Sequence, residues 1–220
     1  YMYALPQKFY DEYRIRKYGF HGTSHKYVAQ ASALYLDKPL DTLNLIICHL
    51  GNGSSIAAIK EGKVFDTTMG LTPLQGLVMG TRCGDIDPAI IFFLARKGMS
   101  IDEIDSVLNK ESGLKGINGI GSGDMRDTVN AAARGRAAAQ NAIEMFAHRA
   151  ALYIGGYHTL VGGAHAVIFT GGIGENSAPA RKAILSRLDA LGCHLDEARN
   201  QAVFGKAGVI TTDDSTLPAL

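Results

Sequence analysis

The first clear hydrophobic pattern in the chain has the period of a helix. Apolar side chains recur at three- and four-residue spacing at Tyr27, Val28, Ala31, Leu34 and Tyr35. This spacing places them on one face of a helix. Thr23 or Ser24 is a suitable N-cap, and the helix is expected to end near Asp37 to Pro39.

Three apolar runs then follow, each with the length of a strand. They cover residues 43–50, 54–60 and 63–68, and the short polar separators Gly-Asn-Gly and Glu-Gly lie between them. This arrangement predicts antiparallel strands joined by hairpins. A further strand is predicted at residues 166–169, directly before a glycine-rich segment, and a last one at 209–211.

Several helix starts are marked by their capping residues. Asp87 followed by Pro88 predicts an N-cap with proline at the first helical position. Ser100 and Glu103 have the spacing of a capping box. Another helix is expected after the glycine-rich segment, with Pro179 in its first turn.

The largest helical region is predicted for the alanine-rich residues from 127 to about 160. We expect interruptions at Gly135 and at the glycine pair 155–156, because glycine weakens a helix interior. Hairpin strands, then helices, then a strand followed by a helix predict a mixed α/β domain. The order disfavours a doubly wound dinucleotide-binding fold, because strands and helices do not simply alternate.

Composition identifies a folded protein and excludes some partners. Of the 220 residues, 46% are hydrophobic and 20% are charged, close to the globular averages. Lys and Arg number 22 against 21 Asp and Glu, so the net charge of +1 gives no general attraction to nucleic acid or anionic membranes. The apolar run 89–95 is far shorter than the roughly 20 residues of a spanning helix.

The cysteines indicate a reducing compartment, so a cytoplasmic location is expected. Cys48, Cys83 and Cys193 are too few and too scattered for a disulfide framework. Cys48 lies in an apolar run and is expected in the core. Because the first residue is Tyr1, we expect a truncated or processed chain.

Glycine is enriched, with 26 residues, and the glycines cluster in segments suited to anions. The segment HLGNGSS, residues 49–55, joins two predicted strands, and its backbone N–H groups can approach an anion closely. An ordinary Asn-Gly hairpin turn explains the same residues.

The segment TGGIGEN, residues 170–176, lies between a strand and a helix, where nucleotides commonly bind. Ser177 replaces the third glycine of a dinucleotide fingerprint, and no Walker A motif is present. A tight strand-to-helix turn is the simpler alternative. In GSGDMRD, residues 121–127, the alternative to ligand binding is a helix start capped by Asp124 or Asp127.

Arg82 is framed by glycines in MGTRCGDIDP and is suited to phosphate, and a surface ion pair with Asp85 is the alternative. Asp85 and Asp87 are weak candidates for a catalytic pair, because capping explains Asp87. His21, in YGFHGTSH, is interpreted as a hydrogen-bond donor presented from a turn, and zinc binding with His25 is disfavoured. Together these features favour phosphoryl transfer on a fold unrelated to the P-loop class.

Four segments in this order, YGFHGTSH, HLGNGSS, TPLQGLVMGTRCGDIDP and TGGIGEN, strongly resemble the acetate kinase family, which includes propionate and butyrate kinases. The resemblance covers essentially the whole chain. It implies a ribonuclease-H-like domain of the sugar kinase, Hsp70 and actin superfold. It also implies reversible ATP-dependent phosphorylation of a short-chain carboxylate, with acetate as the first candidate, in a homodimer.

The resemblance also assigns roles to residues. It implies that His21 stabilises the transition state and that Arg82 is its partner. It assigns ATP phosphates to His49, Leu50, Gly51, Asn52 and Gly53. It assigns the adenosine side to Asp124, Met125 and Arg126. It assigns adenine and ribose to Gly172, Ile173, Gly174, Glu175 and Asn176.

Family members are nearly twice as long, so residues 1–220 are expected to be the C-terminal, nucleotide-binding domain without the N-terminal domain. The family's catalytic aspartate, substrate-binding arginine and Mg²⁺ ligands are expected outside this chain, which alone is expected to be inactive. Cys83 stands where serine is more usual, a change we expect to be tolerated. A non-catalytic nucleotide-binding module is the rival interpretation, and the pairing of His21 with Arg82 argues against it.

Overall fold

A four-stranded sheet lies at the centre of the computed structural model, which describes residues 1–220. Its strands are β1 (Leu45–Leu50), β2 (Ser54–Lys60), β3 (Lys63–Thr67) and β4 (Ala166–Thr170), in the order β3-β2-β1-β4. β2 pairs antiparallel with β1 and β3, and β4 pairs parallel with β1. The predicted hairpin strands and the mixed α/β class are confirmed.

The register brings two glycine segments to the same edge of the sheet. His49 near the end of β1 pairs with Thr170 at the end of β4, so both strands end side by side. The turn between β1 and β2 is also at this edge, because Leu50 pairs with Ser54. The HLGNGSS and TGGIGEN segments are therefore neighbours, although more than a hundred residues separate them.

Ten α-helices accompany the sheet. They are α1 (Gln7–Tyr13), α2 (Gly22–Tyr35), α3 (Ala89–Arg96), α4 (Ile101–Ser106), α5 (Gly113–Ile117), α6 (Met125–Ala133), α7 (Ala137–Leu160), α8 (Gly171–Asn176), α9 (Ala178–Leu185) and α10 (Glu197–Ala202). Two short 3-10 helices and a π-helical turn, Val107–Glu111, complete the set. None of the helices has the length and apolar character that a bilayer span requires.

The sheet separates two hydrophobic clusters of unequal size. Alternate β1 residues Ile46 and Cys48 face the larger cluster of 28 buried residues, which includes the inner face of α7. Leu45 and Ile47 face the smaller cluster of nine, which includes Ala29 and Ala33 of α2. The alternation follows from the two-residue period of a strand. Cys48 is in the core, as expected.

Several predicted helix starts are confirmed. The Asp87 carboxylate accepts a hydrogen bond from the N–H of Ala89 at 2.8 Å. Ser100 and Glu103 form the capping box of α4. Pro179 lies in the first turn of α9.

The start of α2 differs from the prediction. Thr23 and Ser24 lie inside the helix, and His21 is the N-cap residue, with a left-handed φ of 60°. No side chain caps this helix. The Ser24 hydroxyl is instead bonded to the ring of His49, at 2.8 Å, so a tertiary contact replaces the expected cap.

Only one of the two predicted interruptions of the long helical region is present. The chain breaks at Gly135, whose φ is 84°, between α6 and α7. Gly155 and Gly156 continue α7 without a break. Their buried neighbours Ile154 and Tyr157 anchor this stretch in the larger cluster, and this packing outweighs the low helix propensity of glycine.

The predicted strand at residues 209–211 is wrong. Thr211 makes only an isolated bridge with Leu195. The position beside β4 is taken by the last residues of the chain, where Ala219 bridges Val167 in parallel. Ile210 donates its N–H to the carbonyl of Ala219 and accepts a hydrogen bond from the N–H of Asp196, and neither bond joins it to a strand of the sheet.

Candidate functional site

The three glycine segments meet around one cavity of about 650 Å³, within the range of small-molecule sites. Its lining residues are Gly51, Asn52, Thr81, Gly123, Asp124, Met125, Arg126, Gly172, Ile173, Asn176, Ser177 and Phe204. The structure therefore brings together most of the residues predicted to contact nucleotide. Thr81, Ser177 and Phe204 were missed, because only the folded chain places them at this cavity.

Five predicted residues do not line the cavity, namely His49, Leu50, Gly53, Gly174 and Glu175. Leu50 is buried in the core. Gly174 is also buried, and a Cβ atom there would lie 3.3 Å from the carbonyl carbon of Phe169. The Glu175 carboxylate accepts a hydrogen bond from the N–H of Gly171 at 3.1 Å. These three positions support the segment around the cavity.

Two consecutive glycines in TGGIGEN have different structural requirements. Gly171 has a φ of 79°, and a Cβ atom there would lie 2.7 Å from the carbonyl oxygen of Leu50. Glycine at this position is required by the tight turn from β4 into α8. Gly172 has no atom within 4 Å of the place a Cβ would occupy. Its backbone is therefore open to a ligand in the cavity.

Asp124 is the cap of α6, which confirms the structural alternative for this segment. Its carboxylate accepts a hydrogen bond from the N–H of Arg126 at 2.7 Å and pairs with the Arg126 guanidinium at 2.5 Å. This hydrogen-bonded arginine lowers the pKa of Asp124. Asp127 has no capping role and accepts a hydrogen bond from Ser122 at 2.6 Å. Both Asp124 and Arg126 still line the cavity.

Arg82 and His21 approach the same point, the turn between β1 and β2. A Cβ atom built on Gly53 would lie 3.1 Å from Nη1 of Arg82 and 3.7 Å from Nε2 of His21. The loop that carries Arg82 is hydrogen-bonded to this turn, because the Gly80 N–H donates to the Asn52 carbonyl at 2.9 Å. Asn52 also lines the cavity. The turn therefore connects the cavity with the Arg82 and His21 pair.

The predicted alternative of an Arg82 ion pair with Asp85 is wrong. The contact of the Arg82 guanidinium is with Sδ of Met79, at 3.8 Å. Asp85 accepts hydrogen bonds from the Gly76 N–H at 2.9 Å and the Tyr153 hydroxyl at 2.5 Å, and lies 3.5 Å from Arg149. Asp85 is therefore a structural residue, and the Arg82 charge is not neutralised by a carboxylate.

Three histidines cluster behind the turn. The rings of His21 and His49 stack with centroids 4.1 Å apart. Burial, followed by the nearby His49 and Arg82, lowers the pKa of His21 from 6.5 to about 4. Burial, followed by His49 and His21, lowers the pKa of His25 to about 4 as well. Near neutral pH, His21 and His25 are therefore uncharged.

The residues of the cavity do not fit a metal ion of their own. No group of three or more His, Cys, Asp or Glu side chains in the chain is placed to hold one. Asp124 is the sole carboxylate that lines the cavity, and Arg126 already neutralises it. Proteins usually bind Mg²⁺ through one or two carboxylates together with substrate phosphates, and this cavity offers no unpaired carboxylate.

Comparison with known proteins gives a consistent result. The family model described as "Acetokinase family" matches residues 1–220. An acetate kinase of Clostridium novyi is 53% identical over 221 residues, covering 100% of this chain and 55% of the relative. An acetate kinase of Methanosarcina thermophila is 52% identical over 216 residues, covering 98% of this chain and 52% of the relative.

Solved structures show the same similarity. The crystal structure of Porphyromonas gingivalis acetate kinase superposes with a TM-score of 0.95 at 39% identity, covering 100% of this chain and 55% of that one. The crystal structure of a propionate kinase from Francisella tularensis superposes with a TM-score of 0.92 at 45% identity, covering 99% of this chain and 56% of that one.

These matches confirm the predicted fold class, a ribonuclease-H-like domain of the sugar kinase, Hsp70 and actin superfold. The chain spans about half the length of the curated relatives it matches. The family model, by contrast, extends over all of its residues, and the four sequence segments that carry the resemblance fall within it. The chain therefore belongs to the acetokinase family.

Proposed function

We propose that these 220 residues are the C-terminal, nucleotide-binding domain of an enzyme that transfers the γ-phosphoryl group of ATP reversibly to a short-chain carboxylate. The observation that carries the proposal is the convergence of three glycine segments on one cavity, with Arg82 and His21 meeting beside it. The acid proposed is acetate. Propionate and butyrate are the alternatives, since similar relatives include both acetate and propionate kinases.

The cavity suits a nucleotide in shape and chemistry. The exposed backbone at Gly172 allows a flat group to approach closely, and Asn52 and Asn176 offer amide hydrogen bonds. The β1–β2 turn leads from this cavity toward Arg82, so we orient the phosphates along the turn. The adenosine then lies between α8 and the start of α6.

In this orientation, Arg82 and His21 are next to the phosphoryl group in transfer. Phosphoryl transfer spreads negative charge over three equatorial oxygens, so preorganised donors contribute most of the catalysis. Arg82 carries a permanent charge on a planar fork. His21, uncharged near neutral pH, acts as a hydrogen-bond donor. A binding module has no need of such donors, which disfavours the non-catalytic alternative.

The remaining features of the proposal rest on the family resemblance. On that resemblance, magnesium is assigned to ligands outside these 220 residues. The enzyme is proposed to be a homodimer. A cytoplasmic location is proposed because all three cysteines are free thiols.

Substitution of Gly172 by valine tests whether nucleotide occupies the cavity. Because a Cβ atom at this position would meet no protein atom within 4 Å, Gly172→Val should fill part of the cavity with little effect on the fold. We expect ADP affinity, measured by calorimetry, to fall at least fivefold, or about 1 kcal/mol. Gly156→Val, the same change at an exposed site in α7, is the matched control. Unchanged ADP affinity in Gly172→Val would contradict the proposed site.

A further inference from the structure

The hydroxyl group of Ser55 lies between two histidine rings. Its oxygen is 2.9 Å from Nδ1 of His21 and 2.8 Å from Nε2 of His25. A serine hydroxyl has one hydrogen to donate and can accept others. The Ser55 hydroxyl is fully buried and has no acceptor other than these two rings. It therefore donates to one uncharged histidine and accepts from the other, which leaves two possible arrangements.

The surroundings of His25 decide between these arrangements. His25 is only 5% exposed, and its Nδ1 is buried without a hydrogen-bond partner. If Nδ1 carried the proton, a buried N–H would have no acceptor, which is rarer in proteins than an unpaired acceptor. The proton of His25 is therefore on Nε2 and is donated to Ser55. Ser55 then donates its own hydrogen to Nδ1 of His21.

We propose that His25 is a positioning residue, which acts through Ser55 to keep the proton of His21 on Nε2. Nε2 is the His21 nitrogen that faces Gly53, beside Nη1 of Arg82. The inference deepens the proposed function, since it explains how an uncharged histidine is held as a donor at that point.

The direction of the hydrogen bonds from His25 through Ser55 to His21 matters for the proposed reaction. With its proton on Nε2, His21 adds a second donor beside Arg82, and both can bond to one anionic oxygen. With the proton on Nδ1, a lone pair would face the same space and repel an anionic phosphoryl oxygen. The stacked ring of His49 restricts rotation of His21, so the hydrogen bond at Nδ1 sets which nitrogen donates.

Nitrogen NMR of the histidine side chains in the purified protein tests the proposal directly. We expect His21 to show a protonated Nε2 and a hydrogen-bonded, unprotonated Nδ1 at pH 7. In Ser55→Ala the Nδ1 resonance of His21 should move toward that of an unbonded ring nitrogen. A proton on Nδ1 of His21 in the unsubstituted protein would overturn the proposal, as would an Nδ1 resonance unchanged by Ser55→Ala.

Two substitutions of His25 distinguish its proposed hydrogen bond to Ser55 from a role in packing alone. Gln can donate an amide N–H to Ser55, whereas Leu fills similar space without a donor. We expect His25→Gln to keep the His21 resonances and His25→Leu to change them as Ser55→Ala does. Equal resonances in the two variants would overturn the proposal. If His25→Leu does not fold, the unsubstituted protein and Ser55→Ala still decide.

Kinetics then show whether the arrangement serves the reaction. In the full-length enzyme, Ser55→Ala should lower kcat about tenfold, because His21 can still donate a hydrogen bond but its proton is no longer fixed on Nε2. The KM for ATP should change less than twofold. A raised KM at unchanged kcat would overturn the positioning role. Failure of the proposed function is distinguishable, because an enzyme without phosphoryl transfer would still show the expected NMR pattern.

Discussion

Arg82 and Asp85 lie three residues apart in one loop, and their side chains have opposite environments. Asp85 is bonded to Gly76 and Tyr153 and lies near Arg149, whereas Arg82 has no carboxylate partner. A permanent charge without a protein counterion suits an anionic ligand. At the scale of single residues, this contrast supports the proposed ligand role of Arg82 and a structural role for Asp85.

Substitution of Arg82 should therefore affect turnover more than stability. In the full-length enzyme, Arg82→Ala should lower kcat by about 10²-fold or more, as expected for one lost preorganised donor, while the KM for ATP changes much less. Arg82→Lys should restore little, because lysine lacks the planar fork. Asp85→Asn is the control, expected to lower Tm more than Arg82→Ala does. An equal loss of Tm in both variants would contradict the assignment.

The buried histidines should make stability depend on pH. His21 and His25 have pKa values lowered from 6.5 to about 4, so the unfolded chain binds more protons between these values. The stability they contribute is fully present above pH 6.5 and is lost as the pH falls toward 4. Each contributes at most about 1.4 kcal/mol per pH unit.

Urea unfolding at pH 7, 6 and 5 measures this effect. The free energy of unfolding should fall across the series, and His25→Gln should fall less steeply, because glutamine does not titrate. Parallel slopes for the two proteins would show that His25 is not responsible.

At the scale of elements, local sequence signals were reliable where the local chain alone decides the structure. The hairpin strands, the Ser100 capping box and the break at Gly135 depend on neighbouring residues and were predicted. The continuity of α7 through Gly155 depends on packing against the larger cluster. The start of α2 at His21 depends on a contact between Ser24 and His49. Such long-range contacts have no signal in a local sequence window.

Replacing the glycines inside α7 should stabilise the protein. Gly155→Ala and Gly156→Ala should each raise the free energy of unfolding by about 0.5–1 kcal/mol, because alanine favours helix and the space around both positions is open. Gly135→Ala is the matched control, since Gly135 also has open space but a φ of 84°. Urea unfolding should show destabilisation at Gly135, and destabilisation of the other two variants would contradict the explanation.

At the scale of the whole molecule, the cavity is assembled from segments that are distant in sequence. The motifs predicted most of its lining, because glycine, Asn52 and Asp124 lie in recognisable segments. Thr81 lies one residue before Arg82, and Phe204 lies in no motif. Their positions depend on how α6, α8 and the end of the chain fold together, which the sequence patterns did not predict.

The 220-residue chain alone should bind ADP but should not make acyl phosphate. Its cavity offers no free carboxylate for a metal ion, since Asp124 is paired with Arg126. Calorimetry should detect ADP binding, and hydroxylamine trapping should detect product only with the full-length enzyme. Comparable trapping rates for both proteins would contradict the assignment of the missing ligands outside this chain.

The unequal hydrophobic clusters have a consequence for how the molecule opens. His21 begins α2, which rests on the cluster of nine residues, whereas α6 and α9 belong to the side with 28. Elements with fewer buried contacts open locally at lower free energy, and their amides exchange hydrogen sooner. Transient detachment of α2 would withdraw His21, His25 and Ser24 while the nucleotide cavity stays formed. We therefore expect the amides of α2 to exchange hydrogen sooner than those of α6 and α9.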